Sequence, residues 1–217
     1  MKETPIIISV AHQKGGVGKS TLAYNLASYF TKQGDRCAIV DADFQGTITD
    51  LFHSFGKNNV LGGIDLITKD SIKDYKELLN QKKYNLLIID TPPYISIELP
   101  DIFQISDFIL IPTKPAVNDF LAIDRTLDFA KKCKLDYPNI HLGIVINMTI
   151  SGSKFTKDIR EELEGKEVTI LKTEIGQRVE FTRYHLYTDS IYGTSDKKAQ
   201  KEISALGAEI FDIITTK

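Results

Sequence analysis

The sequence predicts an α/β fold built on a mostly parallel, doubly wound sheet with helices on both faces. Short, almost wholly apolar runs alternate with longer segments of helical periodicity along the whole chain. Strands that are apolar on both sides are typical of parallel sheets covered by helices on both faces. A length of 217 residues suits one such unit, so we expect residues 1–217 to form a single domain.

Five runs are predicted to be strands because they are short and continuously apolar, and these are residues 6–11, 37–40, 86–89, 108–111 and 142–146. Five segments are predicted to be helices because apolar residues recur at helical spacing, and these are residues 20–33, 72–82, 119–134, 154–164 and 197–214. The apolar stripe of the last segment predicts a helix that faces the core.

Composition and charge exclude several classes of protein. The formal net charge is −2, so binding to nucleic acid would have to use a local basic patch. The two cysteines, Cys37 and Cys133, do not suggest a disulfide framework and fit a reducing compartment. The apolar run at residues 6–11 is too short for a signal peptide, and no run approaches the roughly 18 apolar residues of a membrane span. We expect a cytoplasmic protein.

Residues 13–21 form a glycine-rich loop between the first predicted strand and the first predicted helix. A phosphate loop has Gly, four residues and then Gly-Lys-Ser/Thr. Gly18-Lys19-Ser20 fits the end of that pattern, whereas Gln13 stands at its first Gly position. Glycines let backbone N–H groups face a phosphate, and the start of a helix adds its dipole. The alternative is a glycine-rich turn without a ligand.

Three side chains of this loop are predicted to contact a nucleotide. Lys19 can reach the β- and γ-phosphates, and the Ser20 hydroxyl can bind Mg²⁺. Thr21 is placed to bond the α-phosphate. The loop also carries a second lysine, Lys14, which phosphate binding within one subunit does not require.

The run from Lys14 to Ser20 resembles the deviant Walker A motif of the ParA/MinD family of ATPases, Lys-Gly-Gly-x-Gly-Lys-Ser/Thr. The matching residues are Lys14, Gly15, Gly16, Val17, Gly18, Lys19 and Ser20. In that family the extra lysine reaches across a dimer interface to the partner's nucleotide. The resemblance therefore implies ATP and Mg²⁺ as cofactors and an ATP-dependent homodimer. The alternative for Lys14 is a solvated surface lysine.

Two carboxylates follow the second predicted strand, Asp41 and Asp43. Ligands of open α/β sheets bind outside the carboxyl ends of the strands. The family has Asp-x-Asp-Pro-Gln here, and this chain matches except that Phe44 replaces Pro. The resemblance implies that Asp43 orients the attacking water or the Mg²⁺ shell, while Asp41 is structural. The alternative is that Asp43 caps a helix near Thr47.

Two further strand ends carry predicted site residues. Asp90 follows the strand at 86–89 in an Asp-Thr-Pro-Pro run that resembles the Walker B segment of the family, which implies that Asp90 holds Mg²⁺ through water. Asn147 ends the strand at 142–146 and is predicted to contact adenine, since an amide can both donate to and accept from a base edge. A turn role is the alternative for Asn147.

The resemblance implies slow ATP hydrolysis in which Lys14, Lys19 and Mg²⁺ stabilise the transition state and Asp43 positions water. Residues 169–193 resemble the segment before the last helix in small plasmid-partition ParA proteins of the ParF type. The resemblance implies non-specific DNA binding, association with the nucleoid in the ATP state, and a DNA-bound partner of the ParB or ribbon-helix-helix kind.

The sequence shows no basic stripe to support DNA binding. Residues 151–201 contain ten Lys or Arg and nine Asp or Glu. The candidate DNA contacts are Arg178, Arg183, Lys197 and Lys198, and solvated surface charge is the alternative for each.

Three other functions remain open at this point. The first is MinD-like positioning of division or other cellular machinery, although Glu209 and Asp212 interrupt the last helix, so no membrane partner is expected. The second is iron–sulfur chemistry, which relatives with this loop perform, but no Cys-x-x-Cys pair exists here. The third is a nucleotide-binding module without hydrolysis.

Overall fold

The structure of the protein is a computed structural model that describes residues 4–216. Within that range eight strands form one sheet in the order β3-β4-β2-β5-β1-β6-β7-β8, and all neighbours are parallel except β3 and β4. The strands are β1 (Ile6–Val10), β2 (Cys37–Asp41), β3 (Val60–Leu61), β4 (Ile64–Thr68), β5 (Leu86–Asp90), β6 (Phe108–Thr113), β7 (His141–Thr149) and β8 (Thr169–Gly176). The predicted mostly parallel sheet is confirmed.

Helices cover both faces of the sheet, as predicted for a doubly wound fold. The α-helices are α1 (Lys19–Gln33), α2 (Thr47–Phe55), α3 (Leu99–Ile105), α4 (Val117–Asp136), α5 (Lys154–Glu164), α6 (Glu180–Arg183) and α7 (Lys197–Thr215). Buried residues of α1, α2 and α7 belong to one apolar cluster, and those of α3, α4 and α5 belong to a second. The sheet therefore separates two cores.

The elements that sequence patterns did not predict are short or lie near the edges of the sheet. β4 and β8 have only two buried residues each, Ile64 and Leu66 in β4 and Leu171 and Ile175 in β8, so neither shows the continuous apolar run of a central strand. The helix predicted at 72–82 is wrong. The structure has a 3₁₀-helix at Tyr75–Asn80, where only Tyr75 and Leu78 are buried. Their spacing of three places both on one side of a 3₁₀-helix.

The register of the central strands brings the predicted site residues to one edge of the sheet, the edge formed by the carboxyl ends of the strands. Asp90 pairs with Val10 of β1 on one side and with Asp41 of β2 on the other. Asp41 in turn pairs with Thr68 of β4. Because these four strands are parallel, the loops that follow them leave the sheet side by side.

The last helix is a core helix, as its stripe predicts. Ile203, Leu206 and Ile210 are fully buried. A Cβ at Gly207 would lie 2.2 Å from the Tyr29 ring, so α7 packs closely on α1. None of the helices within residues 4–216 has the length and apolar character needed to cross a membrane.

Candidate functional site

The glycine-rich loop leaves β1 and presents its backbone to open space. Gly16 and Gly18 have φ of 73° and 91°, which a residue with a Cβ adopts only under strain. A Cβ at Gly15 or at Gly16 would meet no atom within 4 Å. The 15-residue helix α1 begins directly after Gly18. Open backbone amides at the start of a long helix form an anion-binding arrangement.

Side chains from distant elements hold the loop in this conformation. The backbone amide of Gln13 donates to Thr126 Oγ1 of α4 at 3.2 Å. Asn147 Nδ2, at the end of β7, donates to the Val17 carbonyl at 2.7 Å. A Cβ at Gly18 would lie only 2.3 Å from that same amide nitrogen, so the loop and the β7 end are in close contact. The loop is thus preorganised by the fold.

The amide of Asn147 is already engaged within the chain. Its Oδ1 accepts from the Met148 amide at 2.9 Å, and the residue is only 4% exposed. Met148 has φ of 57°, and the register of β7 with β8 shifts between Asn147 and Thr149, so the strand is irregular here. These contacts give Asn147 a role in supporting the loop, and an adenine contact stays a prediction.

Lys19 lies beneath the loop and beside two carboxylates. It is 7% exposed, and its Nζ donates to the Lys14 carbonyl at 3.4 Å. Burial lowers the pKa of Lys19, whereas the charges of Asp90 and Asp43 oppose that shift. The fold therefore brings together a lysine and two carboxylates that lie 24 to 71 residues away along the chain.

Asp90 is a buried carboxylate that lies near Ser20 and Lys19. Both carboxylate oxygens are shielded from solvent and accept no hydrogen bond from any residue in the described part of the chain. Burial raises the pKa of Asp90 to about 7, and the nearby Ser20 hydroxyl and Lys19 ammonium oppose this rise. An orphaned buried carboxylate needs a partner from outside the chain, and its position beside a hydroxyl suits a hard cation such as Mg²⁺.

Asp41 and Asp43 have different surroundings. Asp41 is buried, and its Oδ2 accepts from the backbone amide of Thr49 at 2.8 Å and from its hydroxyl at 2.7 Å. Because Thr49 lies in the first turn of α2, Asp41 caps that helix. Asp43 is half-buried, and its Oδ1 accepts from the Gln45 amide at 3.0 Å. The capping role considered for Asp43 therefore falls to Asp41.

Lys14 is ion-paired within its own chain. Its Nζ lies 2.7 Å from Asp119 Oδ2 in α4, and the Lys114 ammonium lies 3.9 Å from the other oxygen of Asp119. The Asp119 side chain is 3% exposed, whereas that of Lys14 is 35% exposed. A buried carboxylate thus holds the extra lysine of the loop against the start of α4.

Sequence patterns missed Asp119 and His12. His12 is buried and its Nδ1 accepts from the Lys14 amide at 2.9 Å. Burial, together with the charge of Lys19, lowers the pKa of His12 to about 4, so the ring is neutral at physiological pH and its Nε2 carries the proton. Asp119 lies 105 residues from Lys14. Its place in the first turn of a helix after a strand end was the only local signal.

Comparison with known proteins agrees with this geometry. Residues 8–191 match the family model described as the CobQ/CobB/MinD/ParA nucleotide binding domain. The chain belongs to this family. The match spans β1 to the segment before α7, so it includes the loop and all three aspartates at the sheet edge.

Similar proteins match nearly the full length of this chain. Maintenance of carboxysome distribution protein A of Halothiobacillus neapolitanus is 26% identical over 94% of this chain and 95% of its own. A plasmid partition protein from Borrelia burgdorferi B31 bound to AMPPNP superposes with a TM-score of 0.74 at 22% identity, covering 96% and 99% of the two chains. Cobyrinic acid a,c-diamide synthase from Mycobacterium smegmatis, with an ATP analogue and magnesium, gives a TM-score of 0.77 at 17% identity, covering 98% and 96%. The solved structures establish the shared fold.

The raised pKa of Asp90 predicts a stability cost in the nucleotide-free protein. The pKa is about 7 in the folded state and about 4 in the unfolded chain, so wild-type stability falls as pH rises from about 4 to about 7. Asp90→Asn removes this titration. Its free energy of unfolding relative to wild type should rise by about 2 kcal/mol between pH 5 and pH 8, measured by urea unfolding. The exposed Asp101 provides the control variant Asp101→Asn. A difference that stays constant with pH would contradict the assignment.

Proposed function

We propose that this chain is a Mg²⁺-dependent ATPase that forms an ATP-sandwich dimer and acts as a switch in DNA partitioning. The observation that carries the proposal is the meeting of Lys14, Lys19 and the orphaned Asp90 around an open glycine loop at one edge of the sheet. The relatives solved with AMPPNP, or with an ATP analogue and magnesium, support ATP and Mg²⁺ as the ligands.

The ligand contacts follow from the geometry of the loop. Its backbone amides bind the phosphates, and the residues concerned are Lys14, Gly15, Gly16, Val17, Gly18, Lys19, Ser20 and Thr21. Lys19 neutralises the β- and γ-phosphates, which also offsets the burial cost of its own charge. Ser20, Asp43 and Asp90 would hold Mg²⁺, together with water. The cation would supply a counter-charge to the buried Asp90 carboxylate, whose oxygens accept no hydrogen bond from the described residues.

Hydrolysis then depends on positioning and charge rather than on a strong base. Asp43 would orient the attacking water and Lys19 would neutralise charge that develops on the phosphoryl oxygens, to which a bound Mg²⁺ would add its positive charge. The neutral ring of His12 supports the Lys14 backbone and donates no proton at physiological pH. Lys14 of a second copy adds a further positive charge in the dimer. A site of this kind hydrolyses ATP slowly.

The edge that carries the loop also exposes apolar side chains, which supports a second copy as the partner there. These residues follow the carboxyl ends of β2, β5 and β6, and they are Phe44, Tyr94, Ile95, Ile97, Val117 and Leu121. Ile97 is 94% exposed. Clustered exposed apolar side chains usually mark an interaction surface, and a two-fold dimer would cover them together with the nucleotide.

Light scattering tests the dimer. We expect wild-type protein to be dimeric with ATP and monomeric with ADP or without nucleotide. Lys14→Ala should stay monomeric with ATP, and Lys19→Ala should neither bind nor hydrolyse ATP. Asp43→Ala should remain dimeric with ATP and should lose at least about tenfold in phosphate release, because water is no longer oriented.

The exposed Lys82 gives a matched control, since Lys82→Ala removes a lysine far from the loop and should behave as wild type. Equal mass in all three nucleotide states would contradict the sandwich dimer. Dimerisation without any phosphate release by the wild type would instead indicate a nucleotide-binding module.

The pair between Lys14 and Asp119 predicts an intrachain contact that competes with dimerisation. Lys14 must leave Asp119 before it can reach the nucleotide of a second copy, and this release has a free-energy cost. Asp119→Asn keeps the shape of the side chain and removes its charge. It should therefore lower the ATP concentration needed for half-maximal dimerisation by about five- to tenfold. Weaker dimerisation, at unchanged thermal stability, would show that Asp119 assists Lys14 in the dimer.

The cargo is proposed to be DNA, with a DNA-bound ParB-type or ribbon-helix-helix partner and a nucleoid-associated ATP state in the cytoplasm. The plasmid partition relative supports this interpretation.

Local contacts reduce the charge available at two of the candidate DNA-contacting residues, because Arg178 pairs with Glu202 at 2.6 Å and Arg183 pairs with Glu180. Lys197 and Lys198, in the first turn of α7, are the better candidates for phosphate contacts.

A second candidate function is the positioning of a large protein body, such as a carboxysome, in place of a plasmid or chromosome. The carboxysome distribution relative favours it because the similarity extends over 94% of this chain. MinD-like positioning on a membrane surface is the third arrangement. An iron–sulfur role has less support, because Cys37 begins β2 and so lies at the opposite end of that strand from Asp41.

Gel shift and liposome pelleting separate these cargoes. With ATP, we expect wild-type protein to shift random-sequence duplex DNA, and the paired variant Lys197→Ala/Lys198→Ala to weaken binding by about tenfold at 100 mM salt. Lys82→Ala again serves as the control. Pelleting with anionic liposomes, but no shift of DNA, would contradict partitioning and favour a membrane surface.

A further inference from the structure

One lysine contacts both loops that surround the proposed Mg²⁺ site. The Lys69 ammonium lies 3.5 Å from the centre of the Phe44 ring and 2.7 Å from Glu98 Oε2. The Lys69 side chain is 19% exposed and that of Glu98 is 32% exposed, so the ion pair is partly shielded from solvent. We call Phe44, Lys69 and Glu98 the Lys69 bridge.

The strand register explains why this lysine reaches both loops. Thr68, the last residue of β4, pairs with Asp41, and Asp41 pairs with Asp90. Lys69 therefore leaves the sheet beside the loop after β2. It extends over that loop to Glu98, which ends the loop after β5 and occupies the N-cap position of α3.

The Phe44 end of the bridge is attached closely to Asp43. Phe44 follows Asp43 in a tight turn, in which the Gly46 amide donates to the Asp43 carbonyl at 2.9 Å. The Phe44 ring is 73% exposed, so little else packs on it. A phenylalanine offers an aromatic face to a cation, which the proline of the resembled motif does not. The departure from that motif thus creates one of the two contacts of Lys69.

We propose that Lys69 is a positioning residue for ATP hydrolysis. By holding Phe44 and Glu98 at once, it fixes the Asp43 loop relative to the loop that follows Asp90. The two carboxylates then keep the separation that the attacking water and the cation require. This inference rests on the proposed function, because it assigns Asp43 to the water or to the Mg²⁺ shell.

Three substitutions of Lys69 test the charge on which both contacts depend. Lys69→Ala removes both contacts, whereas Lys69→Met keeps the apolar stem and removes the charge. Lys69→Arg preserves a cation that can stack on a ring and pair with a carboxylate. Lys73 lines the same cleft as Lys69, so Lys73→Ala is the matched control.

Steady-state kinetics is the first test. Lys69→Ala and Lys69→Met should each lower kcat by about fivefold, while the Kd for a fluorescent ATP analogue and the Tm stay within error of wild type. Lys69→Arg should recover most of kcat, and Lys73→Ala should match wild type. A purely structural role would instead lower Tm and weaken nucleotide binding in parallel with kcat.

Hydrogen exchange is the second test, and it does not depend on turnover. The exchange is measured in the nucleotide-free protein, in which the proposed dimer does not form, and there Phe44→Ala cuts the bridge at the first loop only. It should nevertheless speed amide exchange in the distant segment 91–98, and Lys69→Ala should speed exchange in both loops. In a double-mutant cycle, adding Phe44→Ala to Lys69→Ala should change kcat less than Phe44→Ala does alone.

The proposal would be overturned if Lys69→Ala left kcat unchanged, or if Phe44→Ala left the amide exchange rates of residues 91–98 unchanged. Failure of the proposed function has a different signature, because the wild type would then release no phosphate. In that case the exchange experiment alone decides whether Lys69 couples the two loops.

Discussion

The site depends on the parallel pairing of β5 with β1 on one side and β2 on the other. This pairing places Asp90 level with Asp41 and with the residue from which the glycine loop departs. Three chain segments that are far apart in sequence therefore leave the sheet together. Because all the strands around them are buried and covered by helices, the edge has little freedom to move. A triphosphate and its cation require charges that are already in position, and a rigid edge of this kind supplies them.

The buried charges at this edge destabilise the nucleotide-free protein. Burial disfavours the ionised forms of both Lys19 and Asp90, and it shifts the pKa of Lys19 downward and that of Asp90 upward. Within the described chain both Asp90 oxygens accept no hydrogen bond, and the Lys19 ammonium donates to the Lys14 carbonyl at 3.4 Å. Such groups are stabilised when a ligand of opposite charge arrives. Part of the free energy released when an anionic phosphate and a divalent cation bind therefore comes from stabilising these buried charges.

The other polar side chains around the site fall into two groups according to what they contact. Asp41 caps α2 and Asn147 supports the loop, so both act on the backbone. Lys14 and Lys69 lie further out, and each is bound to a carboxylate of its own chain. In the first case the pair holds a lysine that the proposed dimer needs elsewhere. In the second it joins two loops that the proposed reaction needs together.

The sequence by itself determined the central strands, the long helices and the position of the glycine loop, because continuous apolar runs and glycine spacing are local signals. It also determined that acidic residues follow two of those strands. Only the tertiary structure decided that Asp41 rather than Asp43 caps α2, that Asp119 holds Lys14, and that partly exposed edge strands complete the sheet. These outcomes depend on strand order and register, which bring Asp119 to Lys14 although the two lie 105 positions apart in sequence. No local pattern encodes such distances, since the neighbours are selected by packing on the assembled sheet.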